Sequence, residues 1–326
     1  MPSAPAFWAA GSPSPWPALL APAAALYGLG NRLKRAFTTT QAAALPVISV
    51  GNLVAGGAGK TPAALALAPL LAQQGRQPHF LTRGYGGRVA GPLRVDPAHH
   101  DAAQVGDEAL LLAAAAPAWV ARDRPAGARA AKAAGAGCVI ADDAHQTWAL
   151  ARDLSLLVVD GGYGFGNGRL LPAGPLREPL AAGLARADAV ILVGPVMAPL
   201  PDMGGRPVFG ARLVADPADA ARLRGRRVLA FAGIGRPEKF FATLEQAGAV
   251  VVGRESFPDH APYSPDTIMR LAETAQQADA VPVTTAKDHV RLPVEARPMA
   301  EALRVSLRFD DPDAVGRFLQ ERLPRA

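Results

Sequence analysis

The chain has 326 residues, enough for two ordinary domains with separate cores. Half of its residues are hydrophobic and 19% are charged, which excludes a disordered chain. Its 34 basic and 28 acidic residues give a formal charge of +6, which favours nucleotides, phospholipid headgroups or phosphorylated substrates. No nucleic-acid partner is expected, because four Trp and four Tyr are not interleaved with the basic residues.

The first charged side chain is Arg32. Residues 15–30 are apolar but broken by prolines, and fall short of the roughly 18 to 20 residues of a spanning helix. A secretory signal carries positive charge ahead of its apolar stretch, whereas Arg32, Lys34 and Arg35 follow this one. Aromatic residues at its edges and cations behind it suit a segment lying in a membrane interface. A short helix packed on the protein's own core fits the same pattern.

A strand-like run, 45–50, and a helix-like run, 62–74, enclose Gly51-Asn-Leu-Val-Ala-Gly-Gly-Ala-Gly-Lys-Thr61, the arrangement of a phosphate-binding loop. Gly56, Gly57, Ala58 and Gly59 are small enough for successive N–H groups to curl around phosphate oxygens. Lys60 reaches the outer phosphates, the Thr61 hydroxyl can ligate Mg²⁺, and Pro62 opens the helix. A nucleoside triphosphate with Mg²⁺ is therefore the expected ligand. The strict pattern would place glycine where this chain has Val54.

Beyond the loop, strand-length apolar runs at 78–82, 118–121, 138–141, 154–160 and 189–193 alternate with helical stretches. This predicts an α/β fold, a P-loop NTPase-like parallel sheet with ligands at the carboxyl ends of its strands. The single cysteine, Cys138, lies in one of these runs, which excludes an internal disulfide. Residues 201–227 lose the rhythm and read as a linker. New strands at 228–232, 249–253, 281–285 and 303–309 predict a second, smaller α/β domain over 228–326. The expected organisation is thus an N-terminal segment over 1–35, interfacial or packed on the core, a nucleotide domain over 36–200, the linker and the small domain.

Asp142 and Asp143 follow one strand, and Asp160 follows another; spacing alone leaves open which of them serves Mg²⁺. Gly106-Asp107-Glu108 opens a helix, where carboxylates also act simply as caps. His260 stands in the loop Phe257-Pro-Asp-His260, and Arg177 and Glu178 stand in a proline-stiffened turn.

Together these residues resemble the tetraacyldisaccharide 4'-kinases, the lipid A 4'-kinases of Gram-negative bacteria, over nearly the whole chain. The matching stretches include Val50-Gly-Asn52, Gly56 to Pro62, Arg83-Gly-Tyr-Gly86, Val105-Gly-Asp-Glu108, Asp142-Asp143, Val159-Asp-Gly161 and Gly164-Phe-Gly-Asn-Gly168. Leu171-Pro-Ala-Gly-Pro-Leu-Arg-Glu-Pro179, Ala230-Phe-Ala-Gly-Ile-Gly235, Phe257-Pro-Asp-His260 and Thr285-Ala-Lys-Asp288 continue the series. Phe7-Trp8 and Pro15-Trp16 look like the family's membrane-associated helix. The chain departs from the family in three places. Ala144-His145-Gln146-Thr147 lacks the histidine usual at its last position, Ala109 replaces a proline, and Ala286 replaces a glutamate.

The resemblance implies transfer of phosphate from ATP to an acylated glucosamine disaccharide 1-phosphate at the cytoplasmic face of the inner membrane, on a peripheral or monotopic protein. It implies Asp107 as catalytic base paired with His260, and Lys60 on the transferred phosphate. Thr61, Asp143 and Glu108 are expected around the metal, and Arg83, Tyr85, Asp142, Arg177 and Glu178 toward the substrate. A P-loop ATPase or GTPase acting as a membrane-associated regulatory or assembly factor is the alternative, although no Asn-Lys-x-Asp guanine signature occurs.

Overall fold

The structure, a computed structural model, describes residues 5–324. The first four residues of the expected N-terminal segment and the last two of the chain lie outside them. Thirteen strands form two sheets. Eight strands come first: β1 (Val47–Gly51), β2 (Pro78–Thr82), β3 (Leu93–Arg94), β4 (Ala118–Val120), β5 (Cys138–Asp142), β6 (Leu154–Asp160), β7 (Ala189–Val193) and β8 (Val208–Ala215). The remaining five are β9 (Arg227–Ala232), β10 (Val250–Ser256), β11 (Val281–Thr285), β12 (Glu301–Leu303) and β13 (Val305–Phe309).

The larger sheet runs β13-β8-β7-β6-β1-β5-β2-β4-β3, parallel except for β3 and β13 at its edges. Every residue of β1, β5 and β6 is buried, as strands covered by helices on both faces require. The helix Lys60–Gln73 follows β1 and buries Ala63, Ala64, Leu67 and Leu71, spaced to lie on one side. Chain order reverses about β1, so the carboxyl ends of β1, β5 and β6 meet at a switch point where α/β proteins bind ligands. The smaller sheet, β10-β9-β11-β12, is wholly parallel.

Two expectations change. Residues 201–227 are not merely a linker, because β8 lies within them and pairs with β7 and β13 in the larger sheet. The apolar run 303–309 is not one strand of the small domain. It divides at Arg304, whose N–H and guanidinium are held by Asp219, and Val305 starts the edge strand of the larger sheet. The small sheet is therefore inserted between two strands of the large one, and the final helix, Pro312–Arg322, packs against the phosphate-loop helix.

Near the N-terminus, helices span Trp16–Leu19 and Ala21–Ala36. Ala24, Gly28, Asn31 and Arg35 form the row that faces the protein: a Cβ at Gly28 would meet Leu170, and Asn31 donates to the Arg177 carbonyl at 2.9 Å. Leu26, Leu29, Leu33 and Phe37 form the opposite row and are exposed. Among the described residues no helix is long and apolar enough to cross a membrane.

Candidate active site

The chain leaves β1 at Gly51 and enters its helix at Lys60. Gly56 and Gly59 hold φ of 108° and 87°, the left-handed region that favours glycine, and this shapes the loop ahead of the helix N-terminus. Val54 is buried and bridged to Leu176, so its side chain serves the core beneath the loop instead of the loop itself.

Thr61 Oγ1 donates to Asp142 Oδ2 at 2.9 Å. Lys60 Nζ lies 3.7 Å from Asp143 Oδ1, and Arg177 Nη1 grips both Asp143 oxygens at 2.9 and 3.1 Å. The carboxylate that meets the threonine is thus Asp142, expected from sequence toward the substrate, while Asp143, expected beside the metal, meets Lys60 and Arg177. Asp160 points elsewhere, toward Arg236 at 2.7 Å and Lys239, both from the small-sheet region. Burial, reinforced by Glu108 and Asp143, pushes Asp142 up to about 7. Asp143 behaves oppositely: desolvation opposes its charge, but Lys60 and Arg177 hold it at about 2.

Across from the loop, Asp107 is the first residue of the helix Asp107–Ala113, and its Oδ1 accepts from the Glu108 N–H at 2.8 Å. The turn before it fits only glycine. Gly106 has φ of 85°, and a Cβ there would stand 2.5 Å from the Tyr85 carbonyl. The Arg83–Gly86 and Val105–Glu108 segments are therefore packed backbone against backbone.

His260 Nδ1 approaches Asp107 Oδ2 at 3.0 Å, and Arg291 Nε lies 3.4 Å from the same oxygen. Burial opposes ionisation of Asp107, yet His260, Lys287 and Arg291 together hold its carboxyl below the usual range. His260 itself adopts φ of 60°, a conformation a non-glycine residue keeps only when its surroundings impose it. Those surroundings centre on Asp288, fully buried, which binds the Gly233 N–H at 3.0 Å, the Tyr263 hydroxyl at 2.8 Å and Arg291. Arg291 in turn donates to the carbonyls of Gly233 and Ala261 on either side of the histidine loop.

Lys287 and Arg291 were not singled out from sequence as site residues. Lys287 Nζ stands 3.2 Å from His260 Nε2 and 3.3 Å from Glu108 Oε1. Their spacing of four on a turn capped by Thr285, matching one helix face, was the available signal. Glu108 thus meets a lysine, while remaining close enough to raise Asp142. Tyr85 sets its ring edge-on to His260 at 4.9 Å between centroids, and Arg83 is exposed with no ion pair among the described residues. Glu178 is corrected: it is buried and turned inward, its oxygens occupied by Arg186 at 2.6 and 2.7 Å and by Gln146 at 2.9 Å. His145 does not substitute for the missing histidine either. It is fully buried between Ser155 and the Gly183 carbonyl, and burial followed by the Arg186 charge lowers it to about 4.

A loop built for phosphates and, opposite it, a carboxylate–histidine pair able to take a hydroxyl proton define a P-loop kinase. Residues 16–324 match the family profile described as Tetraacyldisaccharide-1-P 4'-kinase. The chain belongs to that family. It is 57% identical over 321 residues to the tetraacyldisaccharide 4'-kinase of Rhodospirillum centenum, covering 97% of this chain and 95% of that one. Identity to the Methylobacterium radiotolerans protein of the same name is 52% over 324 residues, 98% of each chain. A crystal structure of the "apo" form of LpxK from Aquifex aeolicus in complex with ATP matches with a TM-score of 0.75 at 28% identity, over 94% of this chain and 99% of that one.

Proposed function

We propose that the protein transfers the γ-phosphoryl group of ATP to the 4'-hydroxyl of tetraacyldisaccharide 1-phosphate, giving lipid IVA, with Asp107 as the base. The observation that carries the assignment of roles is the 3.0 Å approach of His260 to Asp107, a residue of the other sheet region. The attacking hydroxyl gives its proton to the Asp107–His260 pair as its oxygen bonds to the γ-phosphorus and the bond to the β-phosphate oxygen breaks. Lys60 takes up charge on the transferred phosphoryl group, and the loop N–H groups hold the phosphates. Arg291 and Lys287 keep Asp107 ionised and His260 in place before the hydroxyl arrives.

Thr61 and Asp142 fit a Mg²⁺ ion: the hydroxyl and carboxylate are adjacent, and among the described residues the Asp142 carboxylate forms no ion pair, Arg124 donating to its backbone carbonyl instead, while Glu108 and Asp143 crowd it with negative charge. Such an ion would neutralise charge on the phosphates. Tyr85, exposed beside His260, and Arg83, exposed two residues before it, are the side chains assigned to the sugar. Because base and histidine come from different sheets, closure of one on the other assembles the site and limits hydrolysis of ATP by water.

The exposed row Leu26, Leu29, Leu33 and Phe37 supports an interfacial position for the N-terminal helix, at the cytoplasmic face of the inner membrane. Its opposite row reaches Arg177, which grips Asp143, so the membrane-facing helix borders the Asp143 side of the phosphate-loop site. Incubation with labelled ATP and the acylated disaccharide 1-phosphate tests the proposal: label in the lipid supports it, and ATP turnover without lipid labelling overturns it.

A further inference from the structure

At the C-terminal end of the N-terminal helix lies a cavity of about 340 Å³, lined among others by Arg35, Thr38, Thr147, Trp148, Arg152 and Arg186. Three guanidinium groups converge on one indole: their central carbons stand 4.4 Å (Arg186), 4.6 Å (Arg35) and 5.9 Å (Arg152) from the Trp148 ring centroid. No carboxylate lines the cavity. Of the acids that act on the cluster, Glu178 already pairs with Arg186 and Gln146, and Asp188 accepts from the Ser155 N–H, so that among the described residues Arg35 and Arg152 have no carboxylate bonded to them.

The donors of the cluster are correspondingly underused. Arg35 has only the Trp148 ring as a side-chain partner among the described residues, and Arg186 Nε is buried without an acceptor. Arg152 spends one nitrogen on the carbonyls of Ala144 and His145, and burial and the Arg186 charge both work against its protonated form. An anion in the cavity would relieve that repulsion and occupy these donors. Thr147 adds a hydroxyl at the position where the chain departs from its family's usual histidine. The rim residues Arg35 and Thr38 continue the helix whose outer row, Leu29, Leu33 and Phe37, is apolar and exposed.

We infer that this cavity binds the phosphate of an acylated lipid, with the lipid's chains lying along Leu29, Leu33 and Phe37. The inference rests in part on the membrane-facing reading of the helix, so its test uses a short-chain lipid that needs no bilayer. Titration of the full-length protein with monomeric dihexanoylphosphatidic acid should change tryptophan fluorescence saturably, and the change should vanish in Trp148→Phe. Arg35→Gln, at an exposed position, should weaken binding roughly tenfold while leaving the folded state intact. Equal binding of dihexanoylphosphatidylcholine, or undiminished binding by Arg35→Gln, overturns the site. Inorganic phosphate binding as tightly as phosphatidic acid overturns its lipid character. In the kinase assay, a raised KM of Arg35→Gln for the disaccharide with that for ATP unchanged assigns the phosphate to the substrate, and unchanged KM values assign it to a bilayer lipid.

Discussion

Replacing Asp107 by asparagine separates proton acceptance from the shape of the site. The amide retains the volume and can still accept from the Glu108 N–H, as Asp107 Oδ1 does at 2.8 Å, but it cannot take a hydroxyl proton. Loss of general-base assistance lowers kcat by about 10²- to 10⁴-fold, roughly 3 to 5.5 kcal/mol of barrier. The same change removes a charge from a residue only 2% exposed, beside His260 and Arg291. Because the folded-state pKa of Asp107 is depressed, its contribution to stability is full above the unfolded carboxylate pKa of about 3.9 and is lost as pH falls through the lower folded value. The parent protein should therefore resist urea better than Asp107→Asn at neutral pH, with the difference shrinking below about pH 4. Phosphate transfer and urea unfolding across pH measure the two effects. A kcat close to the parent value would show that Asp107 only caps its helix, and a pH-independent stability difference would refute the electrostatic account of its ionisation.

Lys60→Ala should lower turnover by about 10²-fold or more, and near-normal phosphate transfer would sink the phosphate-loop assignment. Gly106→Ala should lower both Tm and kcat, since the strain of a positive φ that only glycine adopts comfortably, about 1–3 kcal/mol, adds to a clash with the Tyr85 carbonyl. Gly205→Ala, also at positive φ but in open space, is the control that should leave kcat unchanged. Replacing Leu26, Leu29 and Leu33 together by Ser should weaken sedimentation with anionic vesicles and leave thermal unfolding unchanged, because these side chains are already in solvent. Unaltered sedimentation would remove the helix from the membrane.

The phosphate loop was legible because its physics is local: small residues, a lysine and a hydroxyl between a strand and a helix. The Asp107 and His260 segments were legible through family resemblance, and nothing local in their spacing joins them. Choosing among Asp142, Asp143 and Asp160 required the sheet, since only the β1–β5 pairing puts Asp142 against Thr61. Glu178 misled because a charge in a proline-rich turn reads as outward-facing, whereas Arg186 and Gln146 draw it in. The strand β8 was hidden by its weak burial pattern, with only Ala211 buried, near the sheet edge where alternation is blurred. The division at Arg304 depends on Asp219, 85 residues away, and no reading of the apolar run could reveal it.

The insertion of the small sheet also dictates an order of events during synthesis. By the time β12 has been translated, every strand of the small sheet exists, yet the nucleotide-binding sheet still lacks its edge strand β13 and the final helix, whose Phe318 stacks edge-on against Phe209 of β8. Until residues 305–322 emerge, β8 presents an unpaired edge and the phosphate-loop helix an uncovered flank, the surfaces through which nascent chains associate wrongly. A chain that ended after β12 would therefore hold every strand of the small sheet while leaving the large sheet open at β8, so residues 305–322 close the fold that the first half of the protein begins.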